Sequence, residues 1–155
     1  IRTTLETLAL TKAVDNMTPE SIAKMRDILC KANQALAEGD IESAAKISRE
    51  MHMDIYEMSG MDRLVTVMNT LDEYMDRFSY MSMSDEERRQ TAAREHDEMV
   101  DALEAKDLER LIQVSNVHLE GARIKCLAAY EKHREDAKRR LEENKDKRSR
   151  GTADI

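Results

Sequence analysis

Three of the four histidines in this sequence stand in the middle of apolar stripes that repeat every three or four residues. That spacing is typical of the buried face of an amphipathic helix. His52, His96 and His118 each fall in a different stripe. His133 lies among charged residues and is expected to be exposed. The three stripes are Ile41, Ala44, Ala45, Ser48, Met51, His52, Ile55 and Ser59; Ala92, His96, Met99, Val100 and Leu103; and Leu108, Leu111, Ser115, His118, Leu119 and Ala122.

Buried imidazole rings need partners for their nitrogens. A ring without a partner costs very roughly 1–3 kcal/mol. No Asp or Glu lies on the same three stripes, so we expect no acidic side chain to satisfy these rings. One divalent metal ion would satisfy all three, because neutral imidazole is a common metal ligand. The sequence therefore favours a metal site made of His52, His96 and His118 over three unrelated core histidines.

Motifs that would indicate catalysis are absent. No Glu stands three residues before a histidine, as a di-iron carboxylate bundle requires. There is no HExxH, P-loop or GxGxxG motif either. A metalloenzyme is an alternative, since three histidine ligands with open positions also suit metal-assisted hydrolysis. The stripes hold no candidate general acid or base, so we do not expect an enzyme.

The composition predicts that packed helices position these histidines. A chain of 155 residues suits one domain with a sizeable core. Apolar residues make up 41% and charged residues 37%, with four Gly and one Pro. This is too apolar for a disordered chain and too poor in turn residues for a β protein. We expect an all-α fold, an antiparallel helical bundle of about six helices.

Capping and stop residues predict where the helices begin and end. Thr18 before Pro19, Asp40, the Ser84–Glu87 capping box and Asp107 predict helix starts. Gly39 and Gly60 predict helix ends. The expected helices cover about residues 2–15, 19–38, 41–59, 63–79, from the capping box to 105, and from 108 into a charged tail that frays after residue 144.

The charge distribution and the cysteines indicate what this chain does not bind and in which compartment it works. Of the net charge of −7, residues 130–151 carry +3, which leaves the rest near −10. So acidic a body argues against nucleic-acid binding by this chain itself. Two distant cysteines, Cys30 and Cys126, fit a reduced cytoplasmic setting. No apolar run is long enough to span a membrane. The chain begins with Ile1, so we expect a fragment or a processed product.

The order of these residues resembles the FCD domain, the effector-binding C-terminal domain of FadR-type GntR transcription regulators. The opening Arg2-Thr3-Thr4-Leu5-Glu6 is similar to that domain's first-helix motif, Arg-x-x-Leu-Glu. The resemblance covers roughly residues 1–130, and residues 131–155 are expected to form a charged extension of the last helix and a frayed tail. The other matching segments are Met51-His52, Ser59-Gly60, Glu95-His96, residues 102–107 and His118-Leu119.

The resemblance implies a metal held by one Asp and three His, with a small organic acid bound beside it. It also implies a homodimer, and an N-terminal winged helix-turn-helix, missing here, through which DNA is bound. Zn is the preferred metal, with Ni, Mn or Fe as alternatives. Ser48 occupies the family's Asp position. Water or effector oxygens are therefore expected to complete a site made of three histidines.

A metal with three neutral ligands keeps its charge, so we expect a small carboxylic-acid effector. Arg2, at the family's Arg position, could pair with a second carboxyl group or could be an exposed charge. The expected function is effector sensing and dimerisation in a transcription regulator. The alternatives are a metalloenzyme and a helical interaction module with structural histidines. The candidate effector contacts are Arg2, Ser48, Met68, Met99 and Ser115.

Overall fold

Helices account for the whole regular structure of the described residues. The computed structural model describes the backbone of residues 1–83 and 85–151, and the side chains of residues 1–73, 83 and 85–140. Within those ranges there are six α-helices and no strand, which confirms the predicted all-α bundle. None of these helices is long and apolar enough to cross a lipid bilayer. They are α1 (Arg2–Asn16), α2 (Pro19–Ala37), α3 (Ile41–Met58), α4 (Asp62–Met83), α5 (Glu86–Glu104) and α6 (Leu108–Gly151).

The helix starts follow the capping residues of the sequence. Free backbone N–H groups at a helix start need acceptors, and short polar side chains supply them. Thr18 and Ser21 cap each other's backbone N–H groups at the start of α2, at 3.2 and 2.9 Å. Carboxylates of Asp40, Asp85 and Asp107 accept from the first turns of α3, α5 and α6, at 3.0, 2.7 and 3.0 Å. These caps confirm the predicted starts of α2, α3 and α6, whereas α5 is capped by Asp85, the second residue of the predicted capping box.

The helix ends agree less closely with the sequence prediction. Gly39 and Gly60 have φ angles of +79° and +66°, a conformation that ends α2 and α3 and suits glycine. Helix α4 is about one turn longer than expected. Helix α6 continues past Asn144, where we expected fraying, to Gly151. Ser84, the first residue of the predicted capping box, lies outside the described residues.

Two apolar clusters hold the helices together. The larger one joins α1, α2, α3, α5 and α6, and the smaller one joins α1, α3 and α4. Helices α3, α5 and α6 therefore share one core, and α1 packs against both α3 and α6. The buried members of the larger cluster are Leu10, Ala13, Val14, Ile22, Met25, Ile28, Leu29, Met51, Ile55, Met99, Val100, Ala102, Leu103 and Leu111; those of the smaller are Ala9, Tyr56, Leu64 and Met68.

Candidate metal centre and adjoining cavity

The three predicted histidines meet in one place. His52, His96 and His118 come from α3, α5 and α6 and are only 7%, 5% and 9% exposed. Their Nε2 atoms converge: His96 Nε2 lies 3.2 Å from that of His52 and 3.3 Å from that of His118. Tetrahedral ligand nitrogens at about 2.0–2.1 Å from a zinc ion stand about 3.3–3.4 Å apart. The spacing therefore fits a single ion between the three rings.

Hydrogen bonds between the rings cannot satisfy this arrangement. The Nε2 atom of a neutral imidazole has either one N–H or one lone pair. His96 Nε2 has two nitrogen neighbours at hydrogen-bond distance, so one of the two contacts is left unsatisfied. A cation between the rings would satisfy all three lone pairs. The three residues are also the group of possible metal ligands found among the described side chains.

The protonation states of the rings suit metal binding. Burial lowers the pKa of His52 well below its ordinary value, and the nearby His118 and Arg2 lower it further. Burial also lowers the pKa of His96, with His118, His52 and Arg88 adding to the effect. Both rings are consequently neutral at neutral pH, the form in which imidazole binds a metal.

Glu95 and Arg88 flank the centre next to His118. Glu95 Oε2 lies 2.8 Å from His118 Nδ1 and accepts a hydrogen bond from Arg88 Nη1 at 2.7 Å. Burial alone would raise the pKa of Glu95, but the hydrogen bonds with His118 and Arg88 outweigh burial and lower it. An ionised carboxylate that accepts from one ring nitrogen leaves the other nitrogen free to bind a metal. We call Arg88, Glu95 and His118 the Glu95 side of the site.

Glu6 lies next to His52, another histidine of the centre. Its carboxylate is 1% exposed and accepts hydrogen bonds from Tyr56 Oη at 3.0 Å and Ser115 Oγ at 3.1 Å. Arg2 Nε lies 3.7 Å from Oε2. His52 Nδ1 lies 3.8 Å from Oε1, too far for a hydrogen bond, and it has no hydrogen-bond partner. Burial, with the charge of Glu6, raises the pKa of Tyr56 well above its ordinary value. Glu6, Tyr56 and Ser115 form the Glu6 side.

The expectation that no acidic side chain would reach the histidines was wrong. It considered only the three histidine stripes, whereas Glu6 comes from α1 and Glu95 precedes His96 on the flank of its stripe. A signal for Glu6 was present, since it shares the three-or-four spacing of the buried residues Ala9, Leu10 and Ala13. Arg88 likewise lies four residues before Ala92, on the stripe that contains His96.

A cavity of about 330 Å³ adjoins the three histidines. Arg2 and Ser48, two of the predicted effector contacts, line it. Met68, Met99 and Ser115 do not: the two methionines belong to the apolar clusters, and Ser115 donates to Glu6. The cavity wall consists of Arg2, Thr3, Ala45, Ser48, Arg49, His52, Leu71, Asp72, Met83, Arg88, Ala92, His96, His118, Leu119, Ala122, Arg123 and Cys126.

The charged side chains that line the cavity are mostly arginines. Four arginines line it against one acidic residue, Asp72. Arg2 Nη1 pairs with Asp72 at 2.7 Å, and Arg123 pairs with Glu120 at 2.6 Å. Arg2 is about one quarter exposed, so it is neither a free surface charge nor fully buried. His133 is exposed on α6, as the sequence predicts.

Comparisons with known proteins agree with this architecture. The family model of the FCD domain matches residues 1–121. The HTH-type transcriptional regulator McbR of Escherichia coli (strain K12) is 32% identical over 112 residues, which are 70% of this chain and 50% of McbR. A solved structure of E. coli McbR/YncC superposes with a TM-score of 0.72 at 26% identity, over 84% of this chain and 65% of that one. The chain thus spans half the length of the curated relative that it matches.

Proposed function

Because this chain belongs to the FCD domain family, we propose that it senses a small carboxylate effector for a GntR-type transcription regulator. In this proposal His52, His96 and His118 bind a divalent metal, and the effector binds beside the metal. The convergence of the three Nε2 atoms carries the proposal. The regulator acts as a homodimer in the cytoplasm and contacts DNA through a helix-turn-helix part outside this chain.

Zinc is the metal that the donor set favours. Three neutral imidazole nitrogens at tetrahedral spacing suit Zn²⁺, and they also accept Ni²⁺, Mn²⁺ or Fe²⁺. Ser48, at the family's Asp position, lines the same cavity and offers only a neutral hydroxyl. We therefore expect Ser48→Asp to tighten zinc binding by roughly tenfold, about 1.4 kcal/mol, by adding a charged ligand.

The proposed effector is an anion with a short apolar body. Three of the four lining arginines are paired with carboxylates, so a bound divalent ion would supply the positive charge that attracts an anion. Arg49 and Arg88 line the cavity together with apolar side chains such as Leu71 and Leu119. Carboxylates suit both a metal with open positions and a guanidinium group. A monocarboxylate would bind the metal, and a second carboxyl group would compete with Asp72 for Arg2.

The alternative functions are weaker. The family and the regulator relative make this a regulatory domain and not an enzyme, so the metalloenzyme alternative is set aside. A helical interaction module with structural histidines would leave one of the two contacts of His96 Nε2 unsatisfied, whereas a metal ion would satisfy both.

Metal content is the first test. The chain, purified without an affinity tag or chelator, should contain close to one equivalent of metal by plasma mass spectrometry. His96→Ala should contain none, whereas His133→Ala, which removes an exposed ring from α6, should retain it. Absence of metal in the unaltered chain, even after zinc is added, would refute the metal site.

Effector binding is the second test. Isothermal titration of the metal-loaded chain with mono-, di- and tricarboxylates should reveal a ligand that His96→Ala no longer binds. If no carboxylate binds the loaded chain, the effector class is wrong. For the full-length protein, the effector should change operator affinity in a metal-dependent manner.

A further inference from the structure

Arg88 is a buried arginine that contacts His118 at its backbone carbonyl and at Nδ1, not at the Nε2 atom that faces the other two histidines. It is 5% exposed and comes from the first turn of α5. Its Nη1 donates to Glu95 Oε2 at 2.7 Å, and its Nη2 donates to the backbone carbonyl of His118 at 2.9 Å. The guanidinium therefore connects two residues of different helices, one of which is a proposed metal ligand. A planar two-pronged donor is suited to fixing both at once.

The shorter of the two contacts of His118 Nδ1 favours one tautomer. Glu95 Oε2 lies 2.8 Å away and Arg88 Nη2 lies 3.2 Å away. If Nδ1 lacked a proton, its lone pair would face a carboxylate oxygen at hydrogen-bond distance, which is repulsive. With the proton on Nδ1, His118 donates to Glu95, and Arg88 donates to the His118 carbonyl instead. This tautomer leaves Nε2, the atom that faces the other two histidines, unprotonated.

Gly121 provides the space in which the guanidinium lies. A Cβ atom at this position would stand 3.3 Å from Arg88 Cζ and 3.4 Å from Nε. The guanidinium donates from both of its terminal nitrogens, so a shift of even a few tenths of an ångström would lengthen its hydrogen bonds to Glu95 or His118. Arg88 Nε itself is buried without a hydrogen-bond partner. The position of Arg88 thus depends on its contacts with Glu95 and His118 and on the missing side chain at 121.

We propose that Arg88 is a positioning residue for the metal centre, holding His118 through Glu95 in the tautomer and orientation that bind the ion. The inference rests on the proposed metal-binding function. It adds that affinity for the ion depends on a buried arginine that does not coordinate it. It also assigns Gly121 a role, which is to admit the guanidinium.

Zinc affinity of Arg88→Gln is the main test. Zn²⁺ alone is the probe, and its dissociation constant is measured by competition with a chromophoric chelator. Loss of a residue that orients a metal ligand weakens binding roughly 10- to 100-fold, and we expect that range for Arg88→Gln. Arg94→Gln is the matched control: it removes the same charge from the same helix, but Arg94 is exposed and contacts Thr91. Its affinity should stay within about twofold of the unaltered chain, because exposed charges are well screened.

A second measurement reports on His118 without metal. Nitrogen-15 NMR of the imidazole rings in the metal-free chain should show His118 with its proton on Nδ1. In Arg88→Gln it should show a mixture of both tautomers, an effect that a merely structural role would not produce. Arg88→Lys keeps the positive charge but lacks the two terminal donors of a guanidinium. Its proportion of the Nδ1-protonated tautomer of His118 should lie between those of the unaltered chain and of Arg88→Gln.

Gly121→Ala covers the case in which Arg88→Gln does not fold. Alanine favours the helical backbone of α6, so the fold should persist while the displaced guanidinium weakens zinc binding. Unchanged zinc affinity and an unchanged His118 tautomer in folded Arg88→Gln, or in Gly121→Ala if the former is unfolded, would overturn the proposal. If the unaltered chain binds no zinc, the proposed function fails, and the tautomer comparison still decides the role of Arg88.

Discussion

The two carboxylates that flank the three histidines have different kinds of partner. On the Glu95 side, the carboxylate contacts a guanidinium and the Nδ1 atom of a proposed metal ligand, at 2.7 and 2.8 Å. On the Glu6 side, two hydroxyl groups donate to the carboxylate, the nearest guanidinium nitrogen, Arg2 Nε, is 3.7 Å away, and the nearest imidazole nitrogen is 3.8 Å away. One carboxylate is thus within hydrogen-bond distance of a proposed metal ligand, whereas the other is not.

The two carboxylates are therefore expected to affect different properties of the protein, its stability and its affinity for metal. Glu6, Tyr56 and Ser115 come from α1, α3 and α6, so their hydrogen bonds tie three helices together in the interior. Glu95 and Arg88 share α5 and reach only α6. We expect the Glu6 side to control the stability of the fold and the Glu95 side to control the affinity for metal. Three substitutions test that division.

Tyr56→Phe should have the largest effect on stability. Tyr56 is fully buried, and its hydroxyl donates to a carboxylate that is also buried. Loss of a hydrogen bond to a charged group should lower the free energy of unfolding by about 1.5–3 kcal/mol. Urea denaturation of the metal-free chain measures the loss. Zinc affinity of the folded variant should stay within about twofold, because the charge of Glu6 is retained. A loss of zinc affinity comparable with that of Glu95→Gln would contradict the division.

Glu95→Gln should act mainly on the metal. The amide keeps the shape of the side chain but loses the charge that holds Arg88 and His118. Zinc affinity should fall roughly 10-fold, and up to 100-fold, by chelator competition. Glu98→Gln, an exposed position on the same helix, is the control that should leave it unchanged. If Glu95→Gln destabilises the fold as strongly as Tyr56→Phe and spares zinc binding, the two sides are wrongly assigned.

Ser115→Ala should have the smallest effect of the three. It removes one of the two hydroxyl donors to Glu6. Alanine favours the helix more than serine by a few tenths of a kcal/mol, which offsets part of the loss. The net decrease in unfolding free energy should therefore be about 1 kcal/mol. Combined with Tyr56→Phe in a double-mutant cycle, it should show coupling, since both hydroxyls share one carboxylate. Strict additivity would mean that they act independently.

Sequence patterns identified the helices and the histidine centre because both depend on local periodicity. A helix cap acts within the first turn of its own helix and does not depend on what the helix packs against, as Thr18, Asp40 and Asp107 show. His52, His96 and His118 were identified by their position in apolar stripes. In a small bundle the apolar stripes of all helices face one core, so residues in the middle of three stripes come close together.

The sequence was less informative about which groups face one another across helices. A stripe shows that a residue is buried but not what it is buried against. Met68 and Met99 were therefore predicted to line the effector cavity, although they pack inside the apolar clusters. The pair of Arg2 with Asp72 and the contact of Glu6 with Ser115 join residues far apart in sequence. They depend on the relative rotation of helices, which periodicity alone does not determine.

Helix α6 gives the centre the geometry of a lever arm. It is 44 residues long, and His118 lies near its beginning. At about 1.5 Å per residue, the helix extends about 50 Å beyond His118 to Gly151. A tilt of one degree about His118 would move the far end of a straight helix by about 0.9 Å, a length comparable with small shifts at effector sites. Angular changes too small to disturb the three histidines are therefore magnified along the length of the last helix.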